Sequence, residues 1–294
     1  MGDRRRMSCQ LAAGVVLAAT GAAAFSPWHV CAAGVRARQL PRRERMGMAP
    51  LSLSVRVRGG GVDGGGDGRN EDALASLGII SDIQYADVDD GASHGGTPRY
   101  YRHAREATRT AVAAWCKHPR VNLAIHCGDI LDGKQPRAAA SDALRDIQRC
   151  FEPFAAAKGG GPDGLSGRVL HVVGNHCLYN LDRATLISTL GMEAEAPLEE
   201  EEGCLYYTVS PAPGVRLIVL DGYDISFAWP PGTARGDKAR AMLAEARGVM
   251  AGDNVNSPAR LAGLSKRWVA FNGAVGPQQE LILKSICLIS LVSV

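Results

Sequence analysis

Several features that would assign this sequence to a class at once are missing. Its eight cysteines contain no Cys-x-x-Cys pair, which excludes a zinc knuckle. They are scattered, several of them inside apolar runs, a pattern typical of small core residues in a reducing compartment rather than of a disulfide framework. Histidine is missing from the last part of the chain, because all seven histidines lie at or before His176. Any functional imidazole must therefore come from earlier residues.

A basic surplus is also missing from the part of the chain that is expected to fold. Residues 1–58 contain ten arginines and two acidic residues, whereas the remaining residues contain 23 basic and 28 acidic side chains. The net charge of +3 thus combines a basic N-terminal segment with a mildly acidic globule. General nucleic-acid binders show the opposite distribution, so nucleic acid is excluded as the expected partner.

The N-terminal segment has the composition of a targeting presequence followed by a linker. Three arginines precede the apolar run Leu11–Phe25, which indicates a signal peptide and is too short for a stable membrane anchor. The stretch Ser26–Arg58 is typical of a transit peptide, and Gly59–Gly68 is typical of a flexible linker. We therefore predict a disordered presequence over 1–74, a folded domain over 75–294, and delivery to a plastid that lies behind extra membranes. A secreted or a cytoplasmic protein is the alternative.

Apolar runs and helical patterns alternate through the first half of the predicted domain. The apolar runs predict buried strands at Leu77–Ile80, Val121–Ile125 and Val169–Val173. Helical patterns separate these runs at Tyr100–Lys117 and Ser141–Phe154. This order predicts a parallel sheet with crossover helices.

The second half of the domain has a different pattern. The runs Cys204–Val209 and Val215–Leu220 are separated by a short turn rich in proline and glycine, which predicts an antiparallel hairpin. Because an all-parallel sheet would not contain such a hairpin, we predict a second, mixed sheet. Further helices are predicted at Thr185–Leu190, Asp237–Met250 and Gln278–Ile286. The fold class is therefore α/β, with two mixed sheets flanked by helices.

Each predicted parallel strand ends in polar groups that can bind a metal ion. In chain order these groups are Asp82, Gln84, Asp129, Asn175 and His176. The carboxyl ends of parallel strands meet at one edge of a sheet, where open α/β proteins bind ligands. Carboxylate and amide oxygens suit Mn²⁺ and Mg²⁺. A single strand-end aspartate is usually a helix cap, but three such ends in succession favour a two-metal phosphoesterase site in which Asp129 bridges the ions.

At these residues the sequence resembles the calcineurin-like metallophosphoesterases and, more specifically, the manganese-dependent ADP-ribose/CDP-alcohol diphosphatases. The resemblance extends from about Gly78 to Leu283. It is specific, because Gln84 stands where most of the superfamily has histidine and Leu-Tyr-Asn follows shortly after the Gly-Asn-His motif. The matching segments are Ser81–Asp87, Tyr100–Arg102, Gly128–Gly133, Gly174–Asn180, Leu220–Asp224 and Asn272–Gly276.

This resemblance implies a fold, a site and an activity. The implied fold is an α/β/β/α sandwich of two mixed sheets flanked by helices. The implied ligands of two Mn²⁺ ions, with Mg²⁺ as an alternative, are Asp82, Gln84, Asp129 and Asn175. His176 would protonate the leaving oxygen or stabilise charge on the transferred phosphoryl group. The implied substrates are nucleoside diphosphate conjugates such as ADP-ribose, CDP-glycerol and CDP-choline, hydrolysed at the pyrophosphate.

The sequence departs from the family at two places. Cys177 replaces an acidic residue that would orient His176, a role whose loss can cost about 10–100-fold in activity. The family also takes metal ligands from later histidines, which this chain lacks. From Ser285 the resemblance ends, which predicts a sandwich without its last strands.

Two alternative functions stay open. One is a non-catalytic remnant that binds metal or nucleotide, and the other is a hydrolase of phosphomonoesters or cyclic nucleotides, against which Gln84 argues. The sequence leaves the oligomeric state open.

Overall fold

The structure is a computed structural model of the chain. It describes residues 76–93, 96–161, 164–192, 203, 205–212, 215–248 and 253–283, together with the backbone of three short strands nearer the N terminus. The strands are β1 (Ala13–Ala18), β2 (Val35–Arg36), β3 (Arg56–Val57), β4 (Ser76–Ile80), β5 (Gly91–Ala92), β6 (Pro98–Arg99), β7 (Val121–Cys127), β8 (Val169–Val172), β9 (Tyr207–Ala212), β10 (Val215–Leu220), β11 (Ile225–Ser226) and β12 (Gly273–Ala274). The helices are α1 (His103–Lys117), α2 (Ala140–Gln148), α3 (Glu152–Lys158), α4 (Asn175–Asn180), α5 (Arg183–Leu190), α6 (Ala234–Arg247) and a helix over residues 277–283, with 3₁₀ turns at Arg137–Ala139, Arg149–Phe151 and Gly263–Arg267.

The first sheet consists of three parallel strands in the order β4, β7, β8. Its central strand β7 is buried along almost its whole length, as expected for a strand that is covered on both faces. Ile125 on β7 lies between Ile79 on β4 and Leu170 on β8 in the strand register. Helices follow β4 and β7 along the chain, so the predicted parallel sheet with crossover helices is confirmed.

Helix α1 packs against the first sheet through Trp115, which is almost completely buried. A Cβ at Gly78 would lie 2.7 Å from the Trp115 ring, so only glycine lets the helix approach β4 this closely. The same ring stacks on Phe151 and meets Phe154 edge-on, at centroid distances of 6.5 Å and 5.8 Å. These aromatic contacts join the crossover helices and the sheet in one core.

The second sheet contains the predicted hairpin. Strands β9 and β10 pair antiparallel, and β1 pairs with β10 in parallel. The Tyr207 hydroxyl on β9 joins the two sheets, because it donates to the His171 carbonyl at 2.7 Å and accepts from the His171 N–H at 3.1 Å. Leu217 and its buried neighbours on β9 and β10 belong to the same apolar cluster as the first sheet. The fold is therefore a mixed α/β arrangement that contains a parallel sheet flanked by helices.

Two helical regions differ from the prediction. Ser141–Phe154, predicted as one helix, is divided into α2, a 3₁₀ turn and α3. Pro153 near the start of α3 has no N–H to donate to the preceding turn, so it disfavours a continuous helix. No helix is predicted for the Gly-Asn-His segment, but the chain enters helix α4 directly at Asn175. This helix has only six residues, too few for a helical pattern to be recognised in the sequence.

Several predicted features fall outside the residues that the structure describes. They are most of the presequence over 1–74, the end of the predicted helix Asp237–Met250 after residue 248, and the chain after residue 283. The domain boundary at residue 75 therefore stays a prediction. In the structure, β1 from the N-terminal segment pairs with β10, and β2 pairs with β3 within that segment. In the described part of the chain, no helix is both long and apolar enough to cross a membrane.

Candidate metal centre

The carboxyl ends of β4 and β7 are held side by side by backbone hydrogen bonds. The Asp82 N–H donates to the Gly128 carbonyl at 3.1 Å, and the Gln84 N–H donates to the Asp129 carbonyl at 2.8 Å. A parallel bridge continues this pairing one residue beyond Gln84. The polar ends of the first two strands therefore meet at one edge of the sheet.

Asp82, Gln84 and Asp129 share an unusual backbone conformation. Their φ angles are 50°, 46° and 56°, and no other non-glycine residue in the described part of the chain has a positive φ. L-residues rarely adopt this left-handed region, which costs about 1–3 kcal/mol per residue and persists only where surrounding contacts enforce it. Such strain concentrates at functional sites. Three of the four predicted metal ligands are thus the non-glycine residues with a left-handed backbone in the described part of the chain.

Asp129 is the central carboxylate of the site and is only 4% exposed. Its Oδ1 accepts from the His176 backbone N–H at 2.9 Å, and its Oδ2 lies 3.5 Å from Gln84 Nε2. Burial raises the pKa of Asp129 to about 6, while the charge of His176 lowers it and the charge of Asp82 raises it. Gly174 makes the arrangement possible, because a Cβ there would lie 2.0 Å from Asp129 Oδ1. A bound cation would stabilise this buried carboxylate beside a second one, so the residues fit a metal ion.

Asn175, the first residue of α4, is also buried. Its side-chain Oδ1 accepts a hydrogen bond from the Tyr223 hydroxyl at 3.2 Å. Tyr223 follows β10, so a residue next to the second sheet reaches the edge of the first. The two residues are 48 positions apart in the sequence, and no local pattern predicted their contact.

His176 has a defined orientation in the site. Its Nδ1 accepts a hydrogen bond from the Gly133 N–H at 2.8 Å, so the neutral ring carries its proton on Nε2. Asp132 Oδ2 lies 3.8 Å from the same Nδ1. Asn180 Nδ2 donates to the carbonyls of His176 and Asp132 at 2.7 Å and 2.9 Å, which ties the two segments together. The site therefore contains a fixed imidazole with Nε2 as a donor.

Asp132 also lies in this site, although the sequence predicted no role for it. It is 5% exposed, its Oδ1 accepts from the Lys134 N–H at 2.8 Å, and its Oδ2 lies 3.6 Å from Arg99 Nη1. The Arg99 side chain is 33% exposed. The sequence feature that could have indicated Asp132 is its position three residues after Asp129, within the Gly128–Gly133 motif.

The donor set of the candidate centre is rich in oxygen. In the part of the chain that the structure describes, no three or more His, Cys, Asp and Glu side chains form a metal-binding group, so amide oxygens must complete any centre here. The candidate donors are the side chains of Asp82, Gln84, Asp129 and Asn175, and the His176 ring lies beside them. Such a set fits Mn²⁺ or Mg²⁺ better than structural Zn²⁺, which favours nitrogen and sulfur.

The chain has known relatives in both sequence and structure. No protein-family model matches it. A manganese-dependent ADP-ribose/CDP-alcohol diphosphatase from Danio rerio is 32% identical over 230 residues, and the match covers 75% of this chain and 67% of that protein. The chain belongs to this diphosphatase family. A solved structure described as a dimetal phosphatase from Danio rerio is 31% identical, with a TM-score of 0.64 over 75% of this chain and 67% of the other.

Plant members of the diphosphatase family are more similar in sequence. Manganese-dependent ADP-ribose/CDP-alcohol diphosphatases from Oryza sativa and Arabidopsis thaliana are each 38% identical, over 71% and 72% of this chain. The matches cover 60% and 62% of those proteins, so the chain spans about three fifths of their length.

Cys177 occupies the position where the resemblance to the diphosphatases implied an acidic residue. The thiol is 1% exposed and belongs to the apolar core, and burial raises its pKa to about 11, with the charge of Asp129 acting in the same direction. It is therefore a neutral core thiol and cannot supply a charge to His176. The orienting contacts of His176 come instead from Gly133 and Asp132.

Proposed function

We propose that this chain is part of a metal-dependent hydrolase that cleaves the pyrophosphate of nucleoside diphosphate conjugates. One observation supports this proposal. Asp82, Gln84 and Asp129, which all have left-handed backbones, lie together at the sheet edge beside the Gly-Asn-His turn. Together with Asn175 they would hold Mn²⁺, with Mg²⁺ as the alternative. When bound, the metal would supply an activated water and neutralise charge on the diphosphate.

The proposed substrates are ADP-ribose, CDP-glycerol and CDP-choline. They are supported by the names of the relatives, which refer to ADP-ribose and CDP-alcohols, and by the sequence resemblance. Arg99, one-third exposed beside Asp132, supplies a guanidinium that can pair with a diphosphate oxygen.

His176 is the proposed catalytic residue for the leaving group. To act as an acid, the ring would give up the Gly133 contact at Nδ1, turn the Nδ1 proton towards the Asp132 carboxylate 3.8 Å away, and offer the Nε2 proton to the leaving oxygen. When neutral, the ring keeps Nε2–H as a hydrogen-bond donor because Gly133 occupies Nδ1. A positioned acid of this kind typically contributes about 10²–10⁴-fold to the rate.

A second candidate function is metal or nucleotide binding without turnover. The observation that favours it is the lack of histidine after His176, which leaves the chain without later imidazole ligands. Four oxygen ligands and waters can still form one octahedral site, which is enough for binding. Under this alternative, the same residues hold a ligand but release no product.

The decisive experiment is hydrolysis of ADP-ribose and CDP-glycerol by the purified full chain with Mn²⁺, followed by chromatography of the released nucleotide. We expect AMP and CMP, and loss of both in Asn175→Ala. The matched control is Asn122→Ala, because Asn122 is exposed on β7 away from the strand end. Mn²⁺ binding without products would support the non-catalytic alternative, and release of phosphate from monoesters alone would contradict the diphosphatase assignment.

We further propose an α/β/β/α sandwich of two mixed sheets for this fold, and a plastid location directed by residues 1–74. The sandwich is supported by the packing of both sheets into one apolar cluster and by the TM-score of 0.64 to the dimetal phosphatase. The location is supported by the composition of the N-terminal segment alone. A fluorescent protein fused behind residues 1–74 should accumulate in the plastid, whereas secretion of the fusion would refute this location.

A further inference from the structure

The Tyr223 hydroxyl makes a buried contact with Asn175 that the proposed function does not use. Tyr223 is 2% exposed, and its hydroxyl donates to Asn175 Oδ1 at 3.2 Å. A carboxamide binds a cation only through its oxygen, which has two lone pairs. A hydroxyl on one lone pair restrains rotation of the amide and leaves the other lone pair for a metal ion.

The turn that carries Tyr223 is fixed by a buried ion pair. Asp221 Oδ1 accepts from the Tyr223 N–H at 2.8 Å, and Asp221 Oδ2 lies 2.5 Å from Arg183 Nη1. Arg183 Nη2 donates to the Tyr223 carbonyl at 2.7 Å, and the guanidinium carbon lies 4.2 Å from the centre of the Trp229 ring. The side chains of Arg183 and Asp221 are 8% and 2% exposed. Both backbone polar groups of Tyr223 are therefore held by partners shielded from water.

Helix 277–283 closes the same turn through Gln279, which is completely buried. The Gln279 side chain accepts from the Asp221 N–H at 2.9 Å and donates to the Asp221 carbonyl at 3.1 Å and to Asp224 Oδ2 at 3.0 Å. A Cβ at Gly276 would lie 2.2 Å from the same Asp224 oxygen, so glycine allows this close approach. The turn is thus anchored on two sides, and its tyrosine hydroxyl points to the candidate centre.

We infer that Tyr223 is a positioning residue that holds Asn175 Oδ1 in the orientation required to bind a metal ion. The inference rests on the proposed function, in which Asn175 is a metal ligand. It gives the Leu220–Asp224 motif a structural role: this motif follows the second sheet and contacts the candidate metal centre at the edge of the first sheet. Partners of metal ligands typically contribute about 10–100-fold to metal affinity.

The test is Mn²⁺ binding by full-length Tyr223→Phe, measured from the electron paramagnetic resonance signal of free Mn²⁺. We expect Mn²⁺ affinity to fall about 10-fold or more. The matched control is Tyr207→Phe, which also loses a buried tyrosine hydroxyl, but one bonded to the His171 backbone between the sheets. Urea unfolding of both variants without metal measures the structural cost, which we expect to be similar, whereas only Tyr223→Phe should weaken Mn²⁺ binding.

A second variant, Gln279→Met, loosens the turn and keeps the Tyr223 hydroxyl. We expect a smaller, several-fold loss of Mn²⁺ affinity, because the turn loses its three bonds to Gln279. Wild-type affinity in both variants, or an equal loss in Tyr207→Phe, would overturn the inference, as would a wild-type chain that binds no Mn²⁺. A wild-type chain that binds Mn²⁺ through Tyr223-dependent contacts but hydrolyses no diphosphate would support the inference and refute the proposed activity.

Discussion

His126 and His171 face each other on neighbouring parallel strands, with ring centroids 5.6 Å apart. Both side chains are buried, and within the described part of the chain both ring nitrogens of His126 and Nδ1 of His171 have no hydrogen-bond partner. Burial lowers the pKa of His126 well below its ordinary value, and the charge of His171 lowers it further. Burial, together with the charge of Arg168, lowers the pKa of His171 to about 4. The folded chain therefore holds two neutral imidazoles at neutral pH.

This histidine pair predicts that folding stability falls as the solution becomes acidic. In the unfolded chain each imidazole titrates near pH 6.5, whereas in the fold it stays neutral down to a lower pH. The stabilisation is therefore complete above pH 6.5 and is lost as the pH falls from 6.5 towards 4, by about 1.4 kcal/mol per pH unit for each imidazole. Urea unfolding in EDTA at pH 7.5 and pH 5.0 measures the difference. His126→Leu should reduce it, whereas His103→Gln on the exposed side of α1 should not.

The buried ion pair between Arg183 and Asp221 predicts a large stability loss on truncation. Arg183→Met leaves the Asp221 carboxylate buried without its partner, which typically costs about 3–5 kcal/mol. The control is Arg145→Met, which removes an exposed pair with Asp142 and should cost less than about 1 kcal/mol. Chemical denaturation of the metal-free proteins gives both values. Equal losses in the two variants would mean that burial does not determine the strength of these pairs.

The burial of Cys177 predicts that its thiol is unreactive in the native chain. Because the pKa of Cys177 is raised to about 11, almost no thiolate is present at pH 7.5. Iodoacetamide followed by peptide mass spectrometry should therefore modify Cys116, which is partly exposed, well before Cys177. In urea both should react at comparable rates. Rapid native labelling of Cys177 would place the thiol outside the core and reopen a role beside His176.

The proposed role of His176 predicts a defect in turnover rather than in metal binding. His176→Gln removes the imidazole but keeps the backbone N–H that donates to Asp129, so the carboxylate keeps this contact. We expect kcat for ADP-ribose to fall by about 10²–10⁴-fold while Mn²⁺ affinity changes little. Steady-state kinetics and Mn²⁺ titration on the same preparation separate the two effects. A parallel loss of Mn²⁺ binding would instead make His176 a metal ligand.

The sequence by itself determined the order of the elements and the family. Apolar runs that end in Asp82, Asp129 and Asn175 predicted three parallel strands with polar carboxyl ends, because side-chain periodicity and turn chemistry are local properties. The same reasoning found the hairpin of β9 and β10. It did not find helix α4, because six residues carry too little periodicity, and it did not foresee that Pro153 divides the second crossover helix.

Only the tertiary structure decided how the site is completed. It placed Asp132 and Gly133 against His176, brought Tyr223 from beyond the second sheet to Asn175, and turned Cys177 into the core. It also showed that Asp82, Gln84 and Asp129 have left-handed backbones, whereas the sequence indicated only that their side chains are polar. These features depend on contacts between residues 43 to 48 positions apart, and on packing that enforces strained angles. No local pattern encodes such contacts, because they form only when both sheets pack into one core.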